Sequence, residues 1–282
     1  MKFAHLSDLH FLKDYGGDRL LGLMSSLSAS PVVAAREVLS AVAACGVDFV
    51  LLTGDNVHEG GAEDYRLLKS VLDETLGKIP YFLALGNHDR IEGYVAAFGD
   101  ALVTDGQLFY ALEIGGIRLV VLDTGYTDAE NGELSEAQWM FFAEEMKKPG
   151  PAIVALHHPP HAASFFGMEK YEFVKDSARF EALLTDDVIG IFCGHTHSNK
   201  TETLKNALHS TAGSLAFGGE FSKESISFND ERYYSLGTID AGSVSDAGSV
   251  SVGHFRHGAE TTTFFSMKME GLMKAMNGKE RI

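Results

Sequence analysis

Cysteine is almost missing from this chain. Its 282 residues hold two, Cys45 and Cys193, far apart in sequence. That excludes a disulfide framework, and both thiols are expected to be reduced in a cytoplasmic protein. Basic residues are also few: 23 Lys and Arg stand against 39 Asp and Glu, a net charge of −16, with no Lys/Arg cluster anywhere. Nucleic-acid binders carry a basic stripe, so a polyanionic partner is not expected. A small anionic substrate remains open if bound cations invert the local field. No apolar run reaches the ~18–20 residues that a membrane span needs. The first residues, MKFAHLSDLH, enter structure directly, without a positive segment or an apolar signal core. The expected location is therefore cytoplasmic.

What the chain does have is a repeated design. The segments 1–10 (MKFAHLSDLH), 49–58 (FVLLTGDNVH), 81–89 (YFLALGNHD), 119–125 (LVVLDTG), 152–160 (AIVALHHPP) and 188–197 (VIGIFCGHTH) each run apolar and then stop at Gly, Asp, Asn or His. Continuous apolar runs of this length fit strands covered on both faces. Helical patterns lie between them. The first, 31–45, has Pro31 at its first turn and Gly46 past its end. The second, 62–76, lines up Leu67, Leu68, Val71, Leu72 and Leu76 on one side before Gly77. The third, 135–148, opens with a capping-box spacing, and a fourth covers 177–185. Such alternation predicts an α/β fold with parallel pairings, whose sites collect beyond the carboxyl ends of the strands. From about residue 199 the texture changes to Gly, Ser and Thr with alternating segments. Short antiparallel strands are expected there, with a turn at Asp246-Ala247-Gly248 and a helix or frayed tail over 271–282. No linker divides the chain, so residues 1–282 read as one domain, with the motifs in 1–200 and a mostly β part in 201–282.

The polar strand endings hold Asp8, His10, Asp55, His58, Asn87, His88, Asp89, His157, His158, His195 and His197, which include seven of the twelve histidines. Burying so many imidazoles and carboxylates together would cost several kcal/mol each without a compensating charge. A bound cation removes that difficulty. The donors are carboxylate, imidazole and amide, with no thiolate, which excludes a Cys-rich structural zinc site and suits Mn, Fe or Zn. There are too many for one ion, so two metals sharing a bridging carboxylate is the economical arrangement. Such a pair, about 3.5–4 Å apart, is a standard device for attacking phosphate esters.

Asp8-Leu9-His10, Gly54-Asp55, Gly86-Asn87-His88-Asp89, His157 and Gly194-His195-Thr196-His197 resemble, in order, the five signature blocks of the calcineurin-like metallophosphoesterases. The opening segment and His157-His158-Pro159-Pro160 are similar to the class III cyclic-nucleotide phosphodiesterase and glycerophosphodiesterase branch. The resemblance implies a four-layer α/β/β/α sandwich of two mixed sheets flanked by helices. It assigns Asp8, His10, Asp55 and His197 to one metal, with Asp55 bridging, and Asn87, His157 and His195 to the second. A metal-bridging hydroxide would be the nucleophile, with His88 as acid or charge stabiliser and Asp89 orienting His88. His158, next to the ligand His157, is expected to point elsewhere, either supporting the ligands or lining the substrate. His58 stands at a variable position, as a substrate or supporting group. The loops 11–19 and 161–168 are candidate pocket walls, with Phe165 and Phe166 either stacking on a base or packing in the core. Members of this branch commonly form homodimers, although no apolar seam here argues for one.

The implied activity is hydrolysis of a small phosphodiester or phosphomonoester. A DNA nuclease of the same superfamily is opposed by the acidic balance and the lack of a coiled-coil insertion. A non-catalytic metal-binding scaffold is opposed by the presence of every ligand position and of His88.

Overall fold

The computed structural model describes residues 1–16, 24, 27–127, 131–160, 162–163, 170–171, 173–222, 224–242, 248–258 and 261–268. Phe165, Phe166, residues 17–19 of the first candidate wall, the turn residues Asp246 and Ala247, and the segment 271–282 lie outside these residues.

The apolar runs form two mixed sheets. In the first, β1 (Lys2–Leu6), β2 (Phe49–Thr53) and β3 (Tyr81–Ala84) are parallel neighbours. Beyond β1 the sheet continues through Arg232–Asp240 and Ser249–His257, each antiparallel to its neighbour. In the second, β4 (Ile117–Val121), β5 (Ala152–Ala155) and β6 (Val188–Cys193) are parallel neighbours, edged beyond β4 by the antiparallel strand Tyr110–Ile114. On the other side of β6 lies Ala207–Thr211, which departs from the antiparallel expectation. It is parallel to β6 and antiparallel to Lys200–Leu204. The Lys200–Leu204 strand turns back at once, so its hairpin partner, not the strand itself, docks on β6.

Helices connect the parallel strands and cover the outer faces. They are α1 (Pro31–Ala44), α2 (Ala62–Leu76), α3 (Ile91–Phe98), α4 (Glu136–Met146) and α5 (Ser177–Leu183). Ser30 Oγ accepts from Val33 N and Ser135 Oγ from Gln138 N, so α1 and α4 start where capping chemistry places them. Along α2, Tyr65, Leu68, Val71, Leu72 and Leu76 are buried at helical spacing.

The layering follows from the two-residue period of a strand. Val120, Val154, Ile191 and Cys193 pack with Trp139 and Phe142 of α4 and Phe180 of α5. The intervening Leu119, Val121, Ile153, Ala155 and Phe192 share a core with Phe3, Phe49 and Leu51 of the first sheet. Phe192 meets Phe3 edge-on, ring centroids 5.1 Å apart. Ala35, Val38, Leu39 and Val42 of α1 and Leu68 and Leu72 of α2 join that same core. The result is the expected α/β/β/α order. Among the described residues no helix is long and apolar enough to cross a membrane.

Candidate metal centre

The parallel strands of both sheets end at one place. Asp8 and His10 follow β1, Asp55 follows β2, and Asn87 to Asp89 follow β3. His157 and His158 follow β5, and His195 and His197 follow β6. The backbone there is unusual. Asp8, His10, Asp55, His195 and His197 have φ of 53°, 48°, 49°, 72° and 50°. Left-handed conformations cost non-glycine residues about 1–2 kcal/mol each and cluster at functional sites. Each carries a side chain out of the strand alternation and into the cluster. Gly54, at φ +93°, completes the bend between β2 and Asp55, and a Cβ there would sit 2.5 Å from His157 Nδ1. At Gly194 an added Cβ would collide with the Ser7 hydroxyl.

Asp8, His10, Asp55 and His197 form one buried group whose ligand atoms all lie within 4.8 Å of one another. His197 donates from Nδ1 to Phe217 O, 3.0 Å, leaving Nε2 turned inward. That Nε2 lies 3.2 Å from Asp8 Oδ1 and 3.2 Å from His10 Nε2. Asp8 is itself held by the His195 N–H, 3.0 and 3.2 Å from its two oxygens. Burial pushes the Asp8 carboxyl up, but the charge of His197 and its hydrogen bond outweigh this and hold it below the ordinary carboxylate value. Burial likewise opposes ionisation of Asp55, and His157 and His88 overcome it.

His157, His158 and His195 form a second group. His157 Nδ1 donates to Thr53 O at 2.7 Å, so Nε2 points inward, 3.3 Å from Asp55 Oδ2. Burial pulls this imidazole down, but the charge and hydrogen bond of Asp55 raise it to about 9. Burial and the charge of His157 lower His195 to about 3. His158 does not point elsewhere, as the sequence suggested. Its ring lies 4.4 Å from that of His195, and Thr124 Oγ1 sits 2.9 Å from its Nδ1. The strand has ended by residue 156, so alternation no longer separates the two histidines. The 87–88 loop is pinned to the centre by His88 N, which donates to Asp55 Oδ1 at 2.9 Å. Asn87 Oδ1 is buried without a hydrogen-bond partner among the described residues.

His58 and His88 stack on each other, centroids 4.4 Å apart, with the His10 ring 5.0 and 5.4 Å from them. Asp89 does not orient His88. Its carboxylate accepts from Asn56 N, Asn56 Nδ2, Val57 N, Gly86 N and the Tyr65 hydroxyl, which tie the loops after β2 and β3 together. The carboxylate beside His88 is Glu59, with Oε1 3.5 Å from Nδ1. Glu59, Thr124, Asn56 and Tyr65 are the supporting residues that sequence reading missed. The polar endings LDTG at 122–125 and GDNVH at 54–58 contained Thr124 and Asn56.

These residues fit metal ions. Inward-turned imidazole nitrogens, two carboxylates and an unpartnered amide oxygen converge, which is an oxygen and nitrogen cradle for a hard or borderline cation. Residues 1–199 match the family described as calcineurin-like phosphoesterase. The chain belongs to that family. Among calcineurin-like phosphoesterases, it is 29% identical to a probable cyclic nucleotide phosphodiesterase of Rhodococcus erythropolis over 228 residues, 78% of this chain and 73% of the relative. It is 27% identical to a probable glycerophosphodiester phosphodiesterase of Arcobacter nitrofigilis over 173 residues, 59% of this chain and 63% of the relative. Its fold is similar to that of a dimetal phosphatase from Danio rerio, with a TM-score of 0.60 at 14% identity, covering 80% of this chain and 94% of the other.

Proposed function

We propose that the protein is a two-metal phosphodiesterase for a small, singly charged phosphodiester, with cyclic nucleotides and glycerophosphodiesters as the favoured classes. The observation that carries this reading is the position of Asp55. Its Oδ2 lies 3.3 Å from His157 Nε2 and 3.8 Å from His10 Nε2, so one carboxylate adjoins both groups of donors. Asp8, His10 and His197 would hold one ion with it, and Asn87, His157 and His195 the other, with His158 at the edge. When bound, such a pair supplies positive charge for the phosphoryl oxygens and activates water at neutral pH. Mn, Fe and Zn all suit this donor set. The side chain of His88 is 26% exposed, and Glu59 occupies its Nδ1 side. Its Nε2 is then the atom that would stabilise charge on the ester or give a proton to the leaving oxygen. The His88 N–H bond to Asp55 would keep that residue close to ions held by Asp55.

The local charge favours diesters over monoesters. The groups that act most on Asp8 and Asp55 are imidazoles and the other carboxylate. The Arg90 guanidinium donates to the carbonyls of Asn87 and Asp89. With no arginine or lysine in this set, only the ions would reward the second charge of a monoester. The names of the two relatives above point the same way. The branch further implies a cytoplasmic homodimer, which sedimentation would read.

The test compares bis(p-nitrophenyl) phosphate with p-nitrophenyl phosphate, using metal-stripped protein resupplied with Mn²⁺. Turnover should require metal, favour the diester, and fall by about a thousandfold or more in Asp55→Ala. No turnover of either ester with Mn²⁺, Fe²⁺ or Zn²⁺ would sink the reading.

A further inference from the structure

His58 is not one of the residues assigned to an ion, yet it makes two contacts that bear on the chemistry. Its Nδ1 lies 3.0 Å from Nδ1 of His10, and its ring lies against His88. At 3.0 Å one of two facing ring nitrogens must carry a proton and the other a lone pair. His10 decides which. Its Nε2 faces His197 Nε2 and Asp55, inside the group that would hold the first ion. A histidine that ligates through Nε2 carries its proton on Nδ1 and donates it to an outer partner. That partner is His58, whose Nδ1 must then be the acceptor and whose single proton must sit on Nε2.

Resting on the two-metal reading above, we propose that His58 is a positioning residue for His10 and, through the proton this forces onto Nε2, a second hydrogen-bond donor to the substrate phosphoryl group beside His88. The Nε2 has no protein partner among the described residues, and His58 keeps 8% of its surface exposed. The placement is built into the loop. Glu59, at φ +54°, donates its N–H to His88 O at 2.8 Å, and His58 N donates to Phe11 O at 3.3 Å. These bonds hold the rings of His58 and His88 side by side and His58 Nδ1 against His10.

The test reads the proton directly. Protein labelled with ¹⁵N-histidine and loaded with Zn²⁺ is observed by long-range proton–nitrogen correlation, the His58 signals being those lost in His58→Gln. The expected pattern is a pyrrole-type Nε2 and a pyridine-type Nδ1. A proton on Nδ1, or on both nitrogens, overturns the proposal. In parallel, His58→Phe keeps the ring stack but cannot accept a hydrogen bond, whereas His58→Gln can. Zn²⁺ affinity for the first site should fall about 10–100-fold in the Phe variant, the range for lost outer-shell partners, and stay within about threefold of the parent in the Gln variant. Equal retention of Zn²⁺ by the parent and the Phe variant would also overturn it. Neither measurement depends on turnover, so failure of the esterase assay and failure of this proposal are separate results.

Discussion

Asp89 shows how a residue can stand in a catalytic motif and serve the scaffold. Five donors from Asn56, Val57, Gly86 and Tyr65 converge on its carboxylate. Asp89→Asn turns an amide NH₂ toward groups that already donate. Each unsatisfied buried group costs about 1–3 kcal/mol, so the metal-free protein should lose about 3 kcal/mol in chemical denaturation. Unchanged stability with a reduced kcat would return Asp89 to the role of orienting His88. His157 carries a pH dependence. Its ordinary value is 6.5, burial pulls it down, and Asp55 raises it to about 9. The stabilisation from that pairing in metal-free protein is complete below pH 6.5 and lost as pH rises through about 9. A ligand imidazole must be neutral, so metal loading below pH 9 expels this proton. Apparent affinity for the second ion should rise about tenfold per pH unit up to about pH 9 and then level off. Calorimetric titration with Zn²⁺ in buffers of different ionisation enthalpy would show about one proton released near pH 7.5.

At the scale of elements, the strands that lead into the site were legible because each is an apolar run cut off by a polar residue. Helices α1, α2 and α4 were legible from caps and spacing, and α5 was expected over 177–185. Helix α3 was not, because its eight residues include Gly93 and follow directly on the Gly86–Asp89 block. The five left-handed positions in the donor cluster were also hidden. Nothing in Asp or His demands that conformation, and only the three-dimensional closure of the two loop sets imposes it. The shared carboxylate of Asp89 was misread for a related reason, since adjacency in sequence suggested His88 while the turn sends the two side chains apart. Two glycines with positive φ separate two kinds of tolerance. Gly150 has φ +96° with nothing within 4 Å of an added Cβ, whereas Gly54 has φ +93° with His157 in the way. Gly150→Ala should cost about 1 kcal/mol in stability and leave metal content intact. Gly54→Ala should lower the bound metal below one equivalent, read by elemental analysis after dialysis. Full occupancy there would show that the His157 ring can yield.

For the whole molecule, a net charge of −16 and a cluster of inward-facing donors make the metal-free state the strained one. Ions that bind only the folded form stabilise it by about 2.7 kcal/mol at a hundred times Kd. Chelation should therefore lower Tm by several degrees, and Asp55→Ala should lose this dependence on metal. The same charge predicts no cleavage of single-stranded DNA under conditions where the small diester turns over. One further property follows from where the donors originate. Asp8, His10, Asp55 and Asn87 stand on the first sheet, and His157, His195 and His197 on the second, so each ion would be gripped from both. The spacing between two such ions would then reflect how the two stacked sheets are aligned. A sliding motion at the Phe3–Phe192 contact, well inside the sandwich, would act like a turn of a vice screw on the reactive gap. Substitutions there, or hydrostatic pressure that squeezes the plates, should alter turnover while every ligand stays in place.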